Sequence, residues 1–161
     1  MNNIDLSKIT TYQSGATQAF VHRELQKICD EILRPYKITK MQWLIIGNVL
    51  DTQKKGIRVS DLAEKLGTTI SFLTTSVNLL ESRGILKRLD NVSDTRSKLI
   101  VVNKHYVPRC QEIEATLRGG LRNTIYSEIN PTEFRIYIKV LTELAHVNYN
   151  SMKPNNSKGK L

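Results

Sequence analysis

Cysteine is scarce in this 161-residue chain, and what little there is excludes two classes of fold. Cys29 and Cys110 are too few for a disulfide framework and lack the spacing of a metal-ligand motif. His22, His105 and His146 are scattered along the chain, so no zinc site is expected, and the two thiols read as ordinary buried or half-buried side chains. No run of ~20 apolar residues is present to span a bilayer. The N-terminus lacks the basic-then-apolar pattern of a signal peptide, so a cytoplasmic protein is expected. There is no internal repeat. A Gly-rich phosphate loop, a metal cluster and a nucleophile–base signature are all missing, so neither enzymatic activity nor a cofactor is expected.

What the chain has is positive charge. Lys and Arg number 24 against 15 Asp and Glu, giving a formal net charge of +9 and a pI near 9.7. That balance points to an acidic polymer as partner, with a membrane surface as the other option. The length suits one domain with a sizeable core, or a small domain with helical additions.

Residues Val59 to Asn103 carry the most information. Ser60–Leu66 is a short amphipathic helix closed by Gly67, and Thr68-Thr69 opens a second helix from Ile70 to Arg83, closed by Gly84. Ile85–Asp90 and Lys98–Asn103 have the pattern of two hairpin arms around a loop bearing Asp94 and Arg96. Helix, tight turn, helix and hairpin in that order describe a winged helix-turn-helix. The fold class is therefore mainly α with a small β-hairpin wing, extended by helices at both ends.

Residues 1–13 are polar and expected to be extended or frayed. The spacing of Val21, Leu25, Ile28 and Ile32 predicts a helix from about Gly15 to Leu33, stopped by Pro35. Thr39-Lys-Met-Gln42 is a capping box for a second helix, whose apolar stripe is Trp43, Ile46, Val49 and Leu50 and which Lys54-Lys55-Gly56 closes. Ile57–Val59 is expected to add a short edge strand. Beyond the hairpin, a helix is predicted from about His105 to Ser127, weakened or kinked at Gly119-Gly120. Asn130-Pro131-Thr-Glu133 starts a last helix, with Phe134, Tyr137, Leu141 and Leu144 on one face. Residues 150–161 read as a disordered basic tail. The end helices, about 15–34 and 105–148, have more apolar face than the small module at about 39–103 can cover. A homodimer is expected to bury it, the alternative being that they fold back on their own module.

In the second helix of the motif, Ile70, Leu73, Val77 and Leu80 fall on the core face. The other face presents Thr69, Ser71, Thr74, Thr75, Asn78 and Ser82, short side chains suited to base edges and phosphates of double-stranded DNA. Phe72 lies off the core stripe and is assigned to packing on a neighbouring helix rather than to a thymine methyl. In the loop, Arg96 suits a narrow minor groove, Asp94 can brace Arg96 or the wing backbone, and Lys87, Arg88 and Lys98 suit phosphates.

These residues carry a family resemblance. Leu66-Gly67 through Leu80-Glu81-Ser-Arg-Gly84-Ile-Leu-Lys-Arg88, with Asp94-Thr-Arg96-Ser-Lys-Leu-Ile100 and with Gln42 soon after Thr39, is similar to the multiple-antibiotic-resistance regulator (MarR) family. The similarity spans about Gly15 to Val147, within a single domain placed at 1–149. It implies a triangular helical dimer with winged DNA-reading heads, usually a repressor on a pseudo-palindromic operator, often released by a phenolic or other small anion or by cysteine oxidation. Family recognition helices commonly have a basic residue just after the threonine matched by Thr74; here it is Thr75, which implies weaker major-groove affinity or a different operator. Neither cysteine stands at the start of the first helix, where the family's peroxide sensors keep theirs. An effector site is expected where dimer helices meet the heads. His22, Tyr36, Met41 and Trp43 would form its wall, and Arg118 would be the partner of a small aromatic or anionic effector. The alternative is that the aromatics only pack that junction. A winged-helix module for protein or RNA is the competing reading of the whole chain, and Arg96 with the small polar helix face favours DNA over it.

Overall fold

The structure, a computed structural model, describes residues 8–53 and 55–145. Its elements are α1 (Thr11–Leu33), a 3-10 turn (Arg34–Tyr36), α2 (Lys40–Asp51), α3 (Val59–Lys65), α4 (Ile70–Ser82), β1 (Leu86–Asp90), β2 (Lys98–Val102), α5 (Val107–Arg122) and α6 (Pro131–Ala145). A short 3-10 turn, Lys104–Tyr106, leads into α5. The chain divides into two compact units, one up to Leu121 and one from Arg122. The tail expected from residue 150 lies outside the described residues.

Local chemistry sets the helix starts. Thr39 accepts from the Gln42 backbone N–H at 3.2 Å while the Gln42 carboxamide accepts from the Thr39 N–H at 3.1 Å, as the capping box requires. Asp30 of α1 reaches across and accepts from the Lys40 N–H at 3.0 Å, adding a carboxylate at the positive end of α2. A second capping box, Thr10 with Gln13, starts α1 at Thr11, four residues before Gly15 and inside the stretch expected to be frayed. Those first residues are all exposed, so no apolar periodicity announces them. At α6, Asn130 Oδ1 accepts from the N–H groups of Thr132 and Glu133 at 2.9 and 3.0 Å, with Pro131 at the first helical position.

In the first unit one apolar core joins every element. Leu33 and Ile38 come from the end of α1 and the following loop, and Ile45, Ile46 and Val49 from α2. Leu62 and Ala63 come from α3, Leu73, Val77 and Leu80 from α4, Ile85, Leu86, Ile100 and Val102 from the hairpin, and Cys110, Ile113 and Leu117 from α5. Two stripes differ from expectation. Ile45, not Trp43, is fully buried in α2, and Ile70 is 56% exposed at the head of α4. Ile70 sits on the edge of the buried stripe in the first helical turn, where the described elements leave more than half of it uncovered.

The hairpin is antiparallel, with Leu86 opposite Val102, Arg88 opposite Ile100 and Asp90 opposite Lys98. The expected edge strand at Ile57–Val59 shrinks to one bridge. Ile57 exchanges hydrogen bonds of 3.1 and 2.8 Å with Ile100, and Val59 already belongs to α3. α2 ends at Asp51, before the lysines expected to close it. α5 runs unbroken through Gly119-Gly120 but stops at Arg122, short of the expected Ser127. Gly120 is there for closeness, since a Cβ on it would stand 2.4 Å from Ile32 Cδ1 of α1. In the second unit, Tyr126, Phe134 and Tyr137 form an aromatic cluster, with Tyr126 edge-on to Phe134 at 4.8 Å and Arg122 above the Phe134 ring. Ile136, Ile138, Val140, Leu141 and Leu144 of α6 are exposed.

Two glycines separate backbone strain from crowding. Gly67 has φ +60° and open space around a would-be Cβ, whereas Gly56 has φ +69° and its Cβ would lie 3.0 Å from Ile100 O, Leu99 Cβ and Val101 Cγ1. Gly67→Ala is expected to cost about 1–2 kcal/mol, the left-handed penalty alone, and Gly56→Ala about 3 kcal/mol, since β2 must also shift. Urea denaturation of the two variants checks the difference, which vanishes if Gly56 is not pressed against β2.

Candidate nucleic-acid interface

α3, the turn at Gly67 and α4 are a helix-turn-helix, and β1–β2 follow as the wing. α4 is held by one face, since Leu73, Val77 and Leu80 are fully buried. Ser71, Thr75, Asn78 and Ser82 are exposed on the opposite side, with Thr74 half-buried beside them. Thr69 is the N-cap, its hydroxyl accepting from the Phe72 N–H at 3.2 Å. The remaining hydroxyls are largely spent on their own helix. Thr74 donates to Ile70 O at 2.8 Å, Thr75 to Ser71 O at 3.2 Å and Ser82 to Leu79 O at 2.8 Å. Phe72 lies off the core and is 46% exposed.

The wing tip is built from two successive side-chain turns. Asn91 Oδ1 accepts from the Ser93 N–H at 3.1 Å, and Asp94 Oδ1 accepts from the Arg96 N–H at 3.1 Å. Asn91 also donates to Ser97 Oγ at 2.8 Å, and Ser97 Oγ donates to Asp94 O at 3.1 Å. Asp94 therefore braces the wing backbone, one of the two roles read for it. The loop is shaped without help from the Arg96 guanidinium, which is exposed and has no protein partner among the described residues.

Two other basic residues are placed differently. Arg88 shares a face with Leu86 on β1, so the period of two turns it toward α4. There it pairs with Glu81 Oε2 and donates to Asn78 Oδ1 at 2.7 Å. Sequence reading missed this clamp, although the alternation Leu86-x-Arg88 carried the signal. It ties the wing to the end of α4 and occupies one lone pair of the carboxamide read as an adenine contact. Lys98 pairs with Asp90 directly across the hairpin, an exposed ion pair that holds the Asp90 carboxyl below its usual range. Arg58 and Asp61 pair at 2.8 Å beside α3.

The residues read as an effector site have different surroundings among the described residues. Trp43 lines a cleft of about 310 Å³ with Leu44, Gly47, Asn48, Asp51 and Glu114. His22 is exposed on α1, and Met41 is half-buried against the core. The Tyr36 hydroxyl donates to Glu112 Oε1 at 3.3 Å and lies 2.9 Å from Thr116 Oγ1, while Arg109 stacks on its ring at 4.7 Å. Tyr36 is thus a tie to α5. Arg118 pairs with Glu114 at 2.9 Å on the rim of the cleft. Asp51 is the other carboxylate lining the cleft. Burial pushes the Cys110 thiol up to about 11 and raises Cys29 as well, Lys40 opposing and Asp30 adding to it. Both shifts favour the thiol over the thiolate.

The sequence model of the MarR family matches residues 48–98, from the end of α2 through the wing. Among solved structures, the fold is similar to a mutant MarR from E. coli complexed with operator DNA, at TM-score 0.71 and 20% identity, covering 81% of this chain and 91% of that one. It is similar to CouR from Rhodococcus jostii bound to p-coumaroyl-CoA, at TM-score 0.76 and 18% identity, covering 88% and 98%. A MarR family transcriptional regulator from Rhodococcus sp. aligns at TM-score 0.78 and 17% identity, covering 86% and 96%.

The clamp makes a measurable claim. A double-mutant cycle of Glu81→Ala and Arg88→Ala is expected to give a coupling of about 0.5–1 kcal/mol in folding stability, modest because both groups are partly solvated. Additive single mutants would mean that the wing is not tied to α4 through this pair.

Proposed function

With the MarR family's helix-turn-helix and wing at residues 48–98, on that family's fold, we propose that this chain is a sequence-specific, double-stranded-DNA-binding transcriptional regulator without enzymatic activity. It acts as a repressor and a homodimer on a pseudo-palindromic operator, in the cytoplasm, and a small ligand releases it. The observation that carries this reading is the preshaped wing with Arg96 unengaged at its tip, following a helix that exposes the short neutral side chains of Ser71, Thr75, Asn78 and Ser82. A planar, weakly hydrated guanidinium held out on a rigid loop suits the electronegative minor groove, while α4 lies in the major groove beside it. The net charge of +9 supplies the long-range attraction.

The winged part is assigned to about 39–103 and dimerisation to the helices at about 15–34 and 105–148. Support comes from apolar side chains left outside, Tyr12 and Phe20 on α1 and Ile136, Leu141 and Leu144 on α6. Covering them with a second copy also places two heads to read two half-sites. Release by a ligand is supported by the cleft beside Trp43. Its Trp43 wall suits an aromatic effector, and CouR is a similar fold that holds p-coumaroyl-CoA, an aromatic thioester. Titration of such compounds, read by Trp43 fluorescence and by operator release, tests that part.

The central experiment selects fragments of the host genome with the full chain, beginning with DNA upstream of its own gene. Binding to the selected duplex is expected to weaken with salt, with a log–log slope of about −0.9 per phosphate neutralised. Arg96→Ala is expected to weaken it by about 1–3 kcal/mol per head. Equal affinity for every duplex, or an Arg96→Ala variant that binds as the parent does, contradicts the reading. Sedimentation of the free protein at micromolar concentration is expected to show dimer alone; a persistent monomer would remove the basis for palindromic recognition.

A further inference from the structure

α4 has no Lys, Arg or His from Ile70 to Ser82, and its one charged residue, Glu81, is paired with Arg88. A guanine in the major groove shows two acceptors, O6 and N7, which are met best by the fork of an Arg or the ammonium of a Lys. This helix has neither. Its donors are few, because the Thr74, Thr75 and Ser82 hydroxyl protons already go to backbone carbonyls of the same helix. The hydroxyls of Ser71 and half-buried Ser76 and the Asn78 Nδ2 group are what remain. What α4 holds out in their place is apolar. Ile70, its first residue, is 56% exposed while the rest of its stripe is fully buried. Thr74 lies one turn further on beside it, its hydroxyl fixed on Ile70 O, so the methyl group is fixed as well. The first turn of a recognition helix is the part that meets base edges, and the one apolar group a base pair shows in the major groove is the thymine 5-methyl.

We propose that Ile70 is a specificity-determining residue whose side chain packs on a thymine 5-methyl group, so that each head prefers an A·T pair beneath the start of α4. The inference rests on the DNA-reading function proposed above and names the base that function reads at one position. It explains an exposed isoleucine in the first turn of a helix that lacks the Arg and Lys that meet guanine best. Thr74 frames the contact, and Asn78 remains to donate to an acceptor further along.

The test uses the full chain and a duplex enriched from a random library. Each thymine in a half-site is replaced in turn by deoxyuridine, which keeps the Watson–Crick pair and all hydrogen-bonding groups and removes only the methyl. At one position per half-site the swap is expected to weaken binding roughly fourfold, the worth of one buried methyl group. Ile70→Ala is expected to weaken the thymine operator by at least as much and to become indifferent to the swap at that position. Its affinity for random DNA should be unchanged. Ile70 is exposed, so the variant should fold, and a parental melting temperature verifies it. Enrichment of an operator whose affinity no uracil alters overturns the inference and leaves the DNA-reading function standing. So does an Ile70→Ala variant as sensitive to the swap as the parent, which would give Ile70 to a protein partner. Failure to enrich any duplex overturns both.

Discussion

Leu73, Val77 and Leu80 anchor α4 in the core by one face, and the placement of every candidate DNA contact follows from that anchoring. Each buried side chain of this size is worth about 1.5–3 kcal/mol relative to exposure, so the rotation of α4 about its axis is strongly set. A turn of the helix by one residue would carry Ser71, Thr75 and Asn78 toward the side and drive a polar group into a core that buries no polar or charged side chain among the described residues. The same cluster takes in Ile85, Leu86, Ile100 and Val102, so the wing is referenced to the same frame. Arg88 then bolts the hairpin to the far end of α4 through Glu81 and Asn78. Helix and wing are positioned as one body, which a reader of two adjacent grooves requires.

Much of this was legible in the sequence because it is written in local chemistry. The Thr39–Gln42 and Asn130–Glu133 starts, the glycines at 67 and 84, and the two arms of the hairpin stand where short-range rules put them. The departures have physical reasons. α1 begins early because a capping box at Thr10 suffices where no apolar stripe exists to signal a helix. α5 passes through two glycines because Gly120 lets Ile32 of α1 come close, a contact distant in sequence. Ile70 obeys the helical period and still escapes burial, since period gives direction and not the extent of the neighbour that must cover it.

Charge was the least legible property of the site. A count of basic residues around the wing treats Arg88, Lys98 and Arg96 alike, yet the first two are engaged with Glu81 and Asp90 and only the third stands clear. The partners lie 7 and 8 residues away, across a turn or a strand pair, so a count of charges does not pair them and only strand alternation and hairpin register do. The Trp43 cleft shows the same effect. Its carboxylates come from α2 and α5, and one of them, Glu114, engages the Arg118 read as an anion partner.

The joint between α1 and α2 has a mechanical consequence. Asp30 grips the Lys40 N–H, Lys37 turns the chain through a left-handed residue, and Leu33 and Ile38 are buried on either side. The connection is stiff, so α1 serves as a lever arm for the body that carries α4. Its 23 residues extend roughly 35 Å, so that a tilt of about 5° at the joint moves the far tip by roughly 3 Å. Run in reverse, a displacement of a few ångströms imposed on the exposed tip near Tyr12 arrives at the other end as a reorientation of only a few degrees. The long arm gears displacement down to angle, and gears angle up to displacement when driven from α2.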